Sequence, residues 1–190
     1  MSANDVSPRI LIVVGLMTAL MCVSAFIRIP VPPVAITLQS VVVLLSGLVL
    51  GPQLGPVAQG IYLALGLIGL PVFSQGGGLG YIFQPSFGYL LGFIPAAWFI
   101  GRGVQGFKAA STKRLLLLAI GAHLLIYAIG LPYLYLALRY FMGKPVELLP
   151  LLYSGFLLFL PGDCLKSVFF VVIAKRLANN HTLTAFRESC

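Results

Sequence analysis

Long apolar runs alternate with short polar stretches along almost the whole of this chain. Several of the runs reach the roughly 20 residues that a helix needs to cross a bilayer, and the glycines and prolines between them are typical of turns. The pattern predicts an all-α, polytopic membrane bundle of six transmembrane helices in a single domain, residues 1–190. The predicted spans are residues 10–27, 36–50, 54–70, 86–101, 115–138 and 161–175.

The composition supports a membrane protein. Hydrophobic residues make up 59% of the 190 residues and charged residues only 8%, whereas about 25% of residues are charged in soluble proteins. The mean hydropathy is +1.04. The net charge of +8 does not indicate nucleic-acid binding, because the basic residues lie mostly in a few stretches between the predicted spans, as the positive-inside rule requires.

The distribution of basic residues predicts that both termini lie in the cytoplasm. With six spans and an inner N-terminus, eight basic residues fall on the inner side and three on the outer side, a bias that follows the positive-inside rule. The inner set is Arg9, Arg102, Lys108, Lys113, Arg114, Lys175, Arg176 and Arg187, and the outer set is Arg28, Arg139 and Lys144. This orientation puts the irregular loop at residues 71–85 and the start of the sixth span on the outer side together.

The first apolar run, residues 10–27, has two interpretations. Val23-Ser24-Ala25 resembles a signal-peptide cleavage site. We favour a membrane span, because the run exceeds the usual signal core of about 7–15 residues and more spans follow. Within the run, Gly15 and Ala19 form a small-xxx-small pair, which lets two helices approach closely. The pair serves either packing inside this chain or the docking of another membrane protein.

Residues 28–39 are predicted to form an extended or turning entry segment, where Thr37 and Gln39 open the second span. Pro30, Pro32 and Pro33 prevent a helix from continuing through this segment. Its backbone must be buried in protein or reach water, because irregular backbone does not face lipid. Gln39, at the end of this segment, can cap a helix, bond a neighbouring helix or reach a ligand.

Two glycine-rich stretches separate later spans. Residues 51–56 (GPQLGP) predict a tight turn. Residues 71–85 form the longest irregular stretch, and its glycines bring backbone donors close to a ligand. No Gly-Lys-Ser/Thr sequence is present, so it is not a phosphate loop. We interpret it as a lid over a site rather than a flexible connection. Tyr89, near its end, either lines a pocket or belongs to an interfacial aromatic belt.

Asp163 and Lys166 are an acid and a base on one helix face, in a chain with only four acidic residues. Pro161 suits the first helical position, which puts Asp163 in the first turn, where the helix dipole favours an anion. Charges near hydrocarbon are costly and mark functional sites. The pair is either a self-neutralising structural ion pair or, as we favour, a polar clamp for a ligand with hydrogen-bond donors and an acid group.

Three further features of the sequence are His123, the apolar run at residues 148–159 and the cysteines. His123 lies in an apolar run, and a hydrogen-bonded structural role is favoured, since one histidine is too little for a metal site. Residues 148–159 form a short apolar run, which is either a re-entrant helix or part of one long helix kinked at Pro161. The cysteines show no spacing typical of a disulfide framework or a metal site; they are Cys22, Cys164 and Cys190.

Five segments, in order over nearly the whole chain, resemble the BioY family. They are residues 29–39 (IPVPPVAITLQ), 50–55 (LGPQLG), 66–73 (GLIGLPVF), 85–93 (PSFGYLLGF) and 160–166 (LPGDCLK). The family comprises the biotin-specific substrate-binding (S) components of energy-coupling-factor (ECF) transporters. The resemblance implies a six-helix bundle in the bacterial cytoplasmic membrane that binds biotin near the outer face, beneath the loop between the third and fourth spans. It implies no enzymatic activity and no cofactor, and either a transmembrane coupling protein with a pair of ATPases as partners or action alone.

The resemblance also implies roles for individual residues. Asp163 is expected to accept hydrogen bonds from the ureido N–H groups of biotin, and Lys166 to pair with polar atoms of the ligand such as its carboxylate. Some members carry an asparagine in the glycine-rich loop and an arginine after the tyrosine of the fourth span. Here the loop has Gln75, and Leu90 follows Tyr89, so Gln75 or Gln39 is expected to replace the loop amide. The candidate biotin-binding residues are Asp163, Lys166, Tyr89, Gln39, Gln75, Phe73 and Gln84; the candidate partner-docking residues are Gly15 and Ala19.

Other function classes fit the sequence less well. A membrane-embedded enzyme needs paired acids, a metal set or a nucleophile with its base, and only isolated serines and cysteines occur. The chain has no Walker motif, so energy for transport comes from partners or from a gradient. An S component for a different vitamin, or a membrane bundle without a transport function, are the alternatives that we retain.

Overall fold

The computed structural model describes residues 8–105 and 111–178. The helices in these residues are α1 (Pro8–Phe26), α2 (Gln39–Leu67), α3 (Phe87–Gly103), α4 (Thr112–Leu136), α5 (Leu148–Leu152) and α6 (Leu160–Ala178). Shorter turns are the 3₁₀ turn Leu79–Phe83 and the π-helical turns Ala137–Phe141 and Tyr153–Leu157. Lys108, Arg187 and Cys190, which enter the predictions above, lie outside the described residues.

Four of the described helical segments are long and apolar enough to cross a membrane. They are Pro8–Phe26, Gln39–Leu67, Thr112–Phe141 and Leu148–Leu177. Together with the apolar composition, these segments indicate a mostly helical membrane protein, as the hydrophobic pattern predicts.

Helix α2 folds back on itself at Gly51. The φ angle of this residue is 76°, which is a conformation that glycine adopts readily. Contacts between the arms before and after Gly51 show the reversal. Gln39 Nε2 donates to the Tyr62 hydroxyl at 2.7 Å, and Gln59 Nε2 donates to the Ser46 hydroxyl at 2.8 Å. The two arms are therefore antiparallel, and the predicted turn between the second and third apolar runs is confirmed.

Two predicted span boundaries are wrong by a few residues. The hydrophobic pattern starts the second span at residue 36, but Ile36–Thr37 form strand β2, which pairs antiparallel with strand β1, Arg28–Ile29. The helix begins only at Gln39, because the preceding chain is held in this extended hairpin, as its prolines predict. The third span is predicted from residue 54, but the helical conformation resumes directly after Gly51.

Glycines set the distance between neighbouring helices. Helix α2 packs against α1 and α3, α3 packs against α4, and α6 contacts both α2 and α4. A Cβ atom on Gly92 of α3 would lie 2.9 Å from the Ile126 Cα of α4. One on Gly47 of α2 would meet the Ala97 carbonyl oxygen of α3. Backbone atoms occupy the space in both cases, so a larger residue forces the helices apart.

The loop between α2 and α3 is folded onto one end of the bundle. Phe73 is fully buried, with its ring centroid 5.4 Å from that of Tyr62 and 4.5 Å from that of Tyr81. The Tyr133 hydroxyl of α4 donates to the Ile82 carbonyl of the loop. These contacts attach the loop to α2 and α4, an arrangement that suits a lid better than a flexible connection.

The apolar run at residues 148–159 continues into the last helix, as one of the two sequence interpretations predicts. The segment Leu148–Leu177 is long and apolar enough to cross a membrane as one unit, and the Asp163 amide donates to the Phe159 carbonyl at 2.9 Å. Its irregularity lies at the π-helical turn Tyr153–Leu157 rather than at Pro161. Asp163 stands in the first turn of α6, which confirms that sequence prediction.

Candidate functional site

A cavity opens between α2, α3, α4 and α6. It contains about 530 Å³ of space free of protein atoms, a volume that includes the open space at its mouth. Its polar lining consists of Thr37, Gln39, Ser40, Ser74, Ser86, His123, Asp163 and Lys166. Its apolar and aromatic lining consists of Val34, Ala35, Tyr89, Leu90, Phe93, Ile126, Tyr127 and Phe159.

Asp163 is the centre of the polar contacts in this cavity. Lys166 Nζ donates to Asp163 Oδ1 at 3.0 Å, and the Tyr127 hydroxyl donates to Oδ2. The side chain of Asp163 is only 9% exposed, so the carboxylate is largely removed from water. A carboxylate has about four lone-pair sites, so Asp163 keeps acceptor capacity for a ligand. The ion pair is therefore compatible with both sequence interpretations, a structural pair and a ligand clamp.

Two other polar atoms on the cavity wall have no hydrogen-bond partner among the described residues. They are the Ser40 hydroxyl and His123 Nε2, and both are buried. Burying a polar atom without a partner is costly, and buried polar groups are nearly always hydrogen-bonded. The cavity therefore offers unused hydrogen-bonding capacity in addition to that of Asp163.

Aromatic rings form the other side of the cavity. Tyr89 is stacked on Phe159 with ring centroids 6.3 Å apart, and Tyr127 meets Tyr89 edge-on at 6.2 Å. The Tyr89 hydroxyl donates to the Gly155 carbonyl at 2.9 Å, which ties α3 to the π-helical turn before α6. Of the two predicted roles for Tyr89, the structure supports the lining of a pocket.

Gln39 lies on the cavity wall, but its amide is already engaged. Its Nε2 donates to the Tyr62 hydroxyl, and its Oε1 accepts from the Thr37 hydroxyl at 3.1 Å. Gln39 is 2% exposed. Of the three roles that the sequence left open for Gln39, bonding a neighbouring helix is the one that these contacts describe.

We expect Gln39→Leu to lower the melting temperature of the purified protein, because it leaves the buried Tyr62 hydroxyl without its donor. A buried hydrogen bond contributes about 1 kcal/mol, or roughly 2–4 °C for a chain of this size. Tyr62→Phe is the matched partner variant. If the bond is what matters, the double variant is less destabilised than the sum of the two single variants; strictly additive losses would contradict this.

Three candidates from the loop do not line the cavity. Phe73 faces the interior of the bundle, Gln75 is exposed and Gln84 is half-buried. Ser74 is the loop residue that reaches the cavity. The loop thus contributes a hydroxyl to the lining in place of the expected glutamine amide.

Sequence reasoning missed Tyr127 and Ser40 and assigned His123 a purely structural role. One signal was available for the α4 pair: His123 and Tyr127 are four residues apart, so they share a helix face. Ser40 follows the candidate Gln39 directly and gave no signal of its own. The Nδ1 atom of His123 does make the expected hydrogen bond, at 2.8 Å from the Ala119 carbonyl oxygen.

The sequence matches the model of the BioY family over residues 1–182. The chain belongs to the BioY family. A probable biotin transporter BioY from Lysinibacillus sphaericus is 38% identical over 167 residues, which cover 88% of this chain and 85% of that protein. The biotin transporter BioY from Thermotoga maritima is 37% identical over 170 residues, or 89% of this chain and 95% of that protein. This confirms the resemblance drawn from the five sequence segments.

A solved structure supports the same membership. The chain is similar to the S-component for biotin from an ECF-type ABC transporter, with a TM-score of 0.81 and 29% sequence identity. The match covers 98% of this chain and 99% of that one. The BioY fold therefore extends over essentially the whole chain.

Proposed function

We propose that this chain is the biotin-binding S component of an ECF transporter, which captures biotin at the outer face of the bacterial cytoplasmic membrane and delivers it inward. The observation that carries the proposal is the largely buried Asp163–Lys166 pair on the wall of the cavity. The relatives named as biotin transporters support it, as does membership of a family of transport components rather than enzymes. Biotin is the transported substrate, and no cofactor takes part.

In this proposal the ureido ring of biotin binds at the Asp163 end of the cavity. The Asp163 carboxylate accepts from a ureido N–H, and the Lys166 ammonium, which can only donate, bonds the ureido oxygen. Tyr89 and Phe159 flank the apolar sulfur ring and the valeryl chain with flat apolar surface. The low polarity of the surrounding bundle strengthens each of these hydrogen bonds.

The carboxylate of biotin lies toward the mouth of the cavity in this proposal. Lys166 is the one cation among the described residues that line the cavity, and Asp163 already neutralises it. Ser74 and Ser86 supply hydroxyl groups instead, at 3.2 Å and 3.1 Å from the hydroxyl of Tyr81. This assignment differs from the expectation based on the family resemblance, in which Lys166 bonds the carboxylate.

We also infer that the chain crosses the membrane six times with both termini inside. The two antiparallel arms of α2 supply two spans, and α3, with 17 residues, is about 26 Å long at 1.5 Å per residue. With α1, α4 and α6 this makes six. The excess of basic residues on one side supports the orientation.

Cysteine labelling tests this topology. In a chain whose native cysteines are replaced, a membrane-impermeant maleimide added to intact cells is expected to label Arg28→Cys but not Lys175→Cys, because both side chains are exposed but on opposite sides of the membrane. Lys175→Cys is expected to react once the membrane is opened. Labelling of Lys175→Cys in intact cells would contradict the proposed orientation.

We propose that α1 docks the transmembrane coupling protein that carries the two ATPases. A Cβ atom on Gly15 would meet nothing within 4 Å, and Ala19 is exposed on the same helix. The small pair therefore does not serve packing against the described part of this chain. Small residues on an exposed transmembrane face allow a second helix to approach closely.

Gly15→Leu is expected to lower biotin uptake by cells about tenfold or more while leaving biotin binding by the purified chain unchanged. The added side chain meets open space in this chain but blocks the approach of a partner helix, and a tenfold effect corresponds to about 1.4 kcal/mol. Gly60→Leu is the matched control, since a Cβ there also meets nothing within 4 Å. Equal uptake by the two variants would show that the coupling protein does not dock at Gly15.

A thermal-shift panel tests the choice of ligand. Biotin, thiamine and riboflavin are added in turn to the purified protein in detergent. Biotin alone is expected to raise the melting temperature, since a ligand at 100 times its Kd stabilises by about 2.7 kcal/mol. Stabilisation by another vitamin and not by biotin would contradict this proposal and indicate an S component for that vitamin.

A further inference from the structure

His123 presents a buried nitrogen to the cavity. The residue is 6% exposed, and its Nδ1 atom lies 2.8 Å from the Ala119 carbonyl oxygen. Because a carbonyl oxygen can only accept, Nδ1 carries the proton of this bond. In the neutral ring Nε2 is then a hydrogen-bond acceptor, and it has no partner among the described residues.

The unpartnered Nε2 atom faces a second acceptor. It lies 3.6 Å from Asp163 Oδ1, which is longer than the roughly 2.7–3.2 Å of a hydrogen bond. A protonated ring would donate to the carboxylate and close this distance. The donors that Asp163 does have are the Tyr127 hydroxyl and the Lys166 ammonium. Two acceptors thus face each other, and of the two only His123 Nε2 lacks a donor.

We propose that His123 is a further biotin-binding residue, whose Nε2 atom shares one ureido N–H of the ligand with Asp163 Oδ1. An N–H nitrogen between two acceptors 3.6 Å apart can lie within about 3 Å of both, the usual length of such a bond. This inference rests on the proposed function and adds a prediction of which ligands the site binds. The site takes cyclic ureas with a free N–H at this position and rejects ligands that carry an alkyl group or an oxygen there, because the buried His123 Nε2 atom is then left unpaired.

The first test observes the nitrogen directly in the unmodified protein. The chain contains only two histidines, so ¹⁵N-histidine labelling gives a simple NMR spectrum in detergent. Without ligand, Nε2 of His123 is expected to resonate as an unprotonated nitrogen. Saturating biotin is expected to shift it toward lower frequency, as accepting a hydrogen bond does. A protonated Nε2, or a resonance that biotin does not move, would overturn the proposal.

The second test combines variants with ligand analogues. His123→Phe is expected to bind biotin about tenfold more weakly, the effect of one lost hydrogen bond, and His123→Gln, which keeps an acceptor, to lose less. Biotin methylated at the ureido nitrogen that faces His123 binds the native chain weakly, and His123→Phe does not weaken it further. If His123→Phe weakens the binding of biotin and of both N-methyl isomers equally, His123 has only a structural role and the proposal is overturned. An unchanged affinity of His123→Phe for biotin would also overturn it.

The result for the native chain separates this inference from the proposed function. A native chain that does not bind biotin overturns both. A native chain that binds biotin, with an Nε2 resonance that does not respond to the ligand, overturns the role of His123 alone. Since the NMR test uses no variant, it decides the point even where His123→Phe does not fold.

Discussion

Replacing Asp163 by asparagine is expected to weaken biotin binding about 100-fold or more. The variant removes the anionic acceptor at the centre of the cavity, and hydrogen bonds to charged groups contribute about 1.5–3 kcal/mol, which reaches a factor of 100. It also leaves the ammonium of Lys166, whose side chain is 12% exposed, without its counter-ion. The measurement is equilibrium binding of labelled biotin to purified variant and native protein.

A double variant separates binding from folding in this experiment. Losing one partner of a buried ion pair costs about 3–5 kcal/mol, whereas replacing both partners by neutral groups is often tolerated. We therefore expect Asp163→Asn with Lys166→Met to melt at a higher temperature than Asp163→Asn alone and still to bind biotin weakly. Recovery of binding in the double variant would mean that the pair serves the fold and not the ligand.

Gly47→Leu is expected to lower the stability of the fold considerably more than Gln39→Leu does. A Cβ atom at Gly47 would meet the Ala97 carbonyl oxygen and lie 2.9 Å from the Ile100 Cβ. No rotation of a side chain relieves a contact with backbone, so α2 and α3 must separate. Overpacking costs about 3 kcal/mol in severe cases, or roughly 10 °C for a chain of this size.

Gly60→Leu on the same helix α2 is the matched control for this prediction. The chemical change is identical, but a Cβ at Gly60 meets nothing within 4 Å. Thermal melting in detergent is therefore expected to show a large decrease for Gly47→Leu and almost none for Gly60→Leu. Similar melting temperatures for the two variants would show that the close approach of α2 and α3 is not needed for stability.

The long apolar helices and the charged pair could be predicted because each depends on local sequence. Apolar runs of sufficient length indicate membrane helices wherever they occur, and the positions of Asp163 and Lys166 put both on one helix face. The hairpin turn at Gly51 followed from its glycines and prolines. The predicted start of the second helix was wrong because Ile36 is as apolar as a span residue. Only the pairing of Ile36 with Ile29 makes it part of a strand.

The helix faces that line the cavity could not be predicted in the same way. A soluble helix shows its buried side through one apolar stripe, but the spans of this chain are apolar all round. The four-residue spacing of His123 and Tyr127 puts them on one helix face, but nothing local shows that this face lines the cavity. The loop residue that lines the cavity could not be predicted for a related reason. Phe73 packs inward on Tyr62, which brings the adjacent Ser74 to the cavity and leaves Gln75 exposed.

Titration of the purified chain with labelled biotin tests most directly the claim that the cavity containing Asp163 and Lys166 is a biotin site. We predict saturable binding of one biotin per chain, displaced by unlabelled biotin and lost at the same concentrations in Asp163→Asn. Absence of saturable binding by the native chain, or equal binding by Asp163→Asn, would contradict the claim.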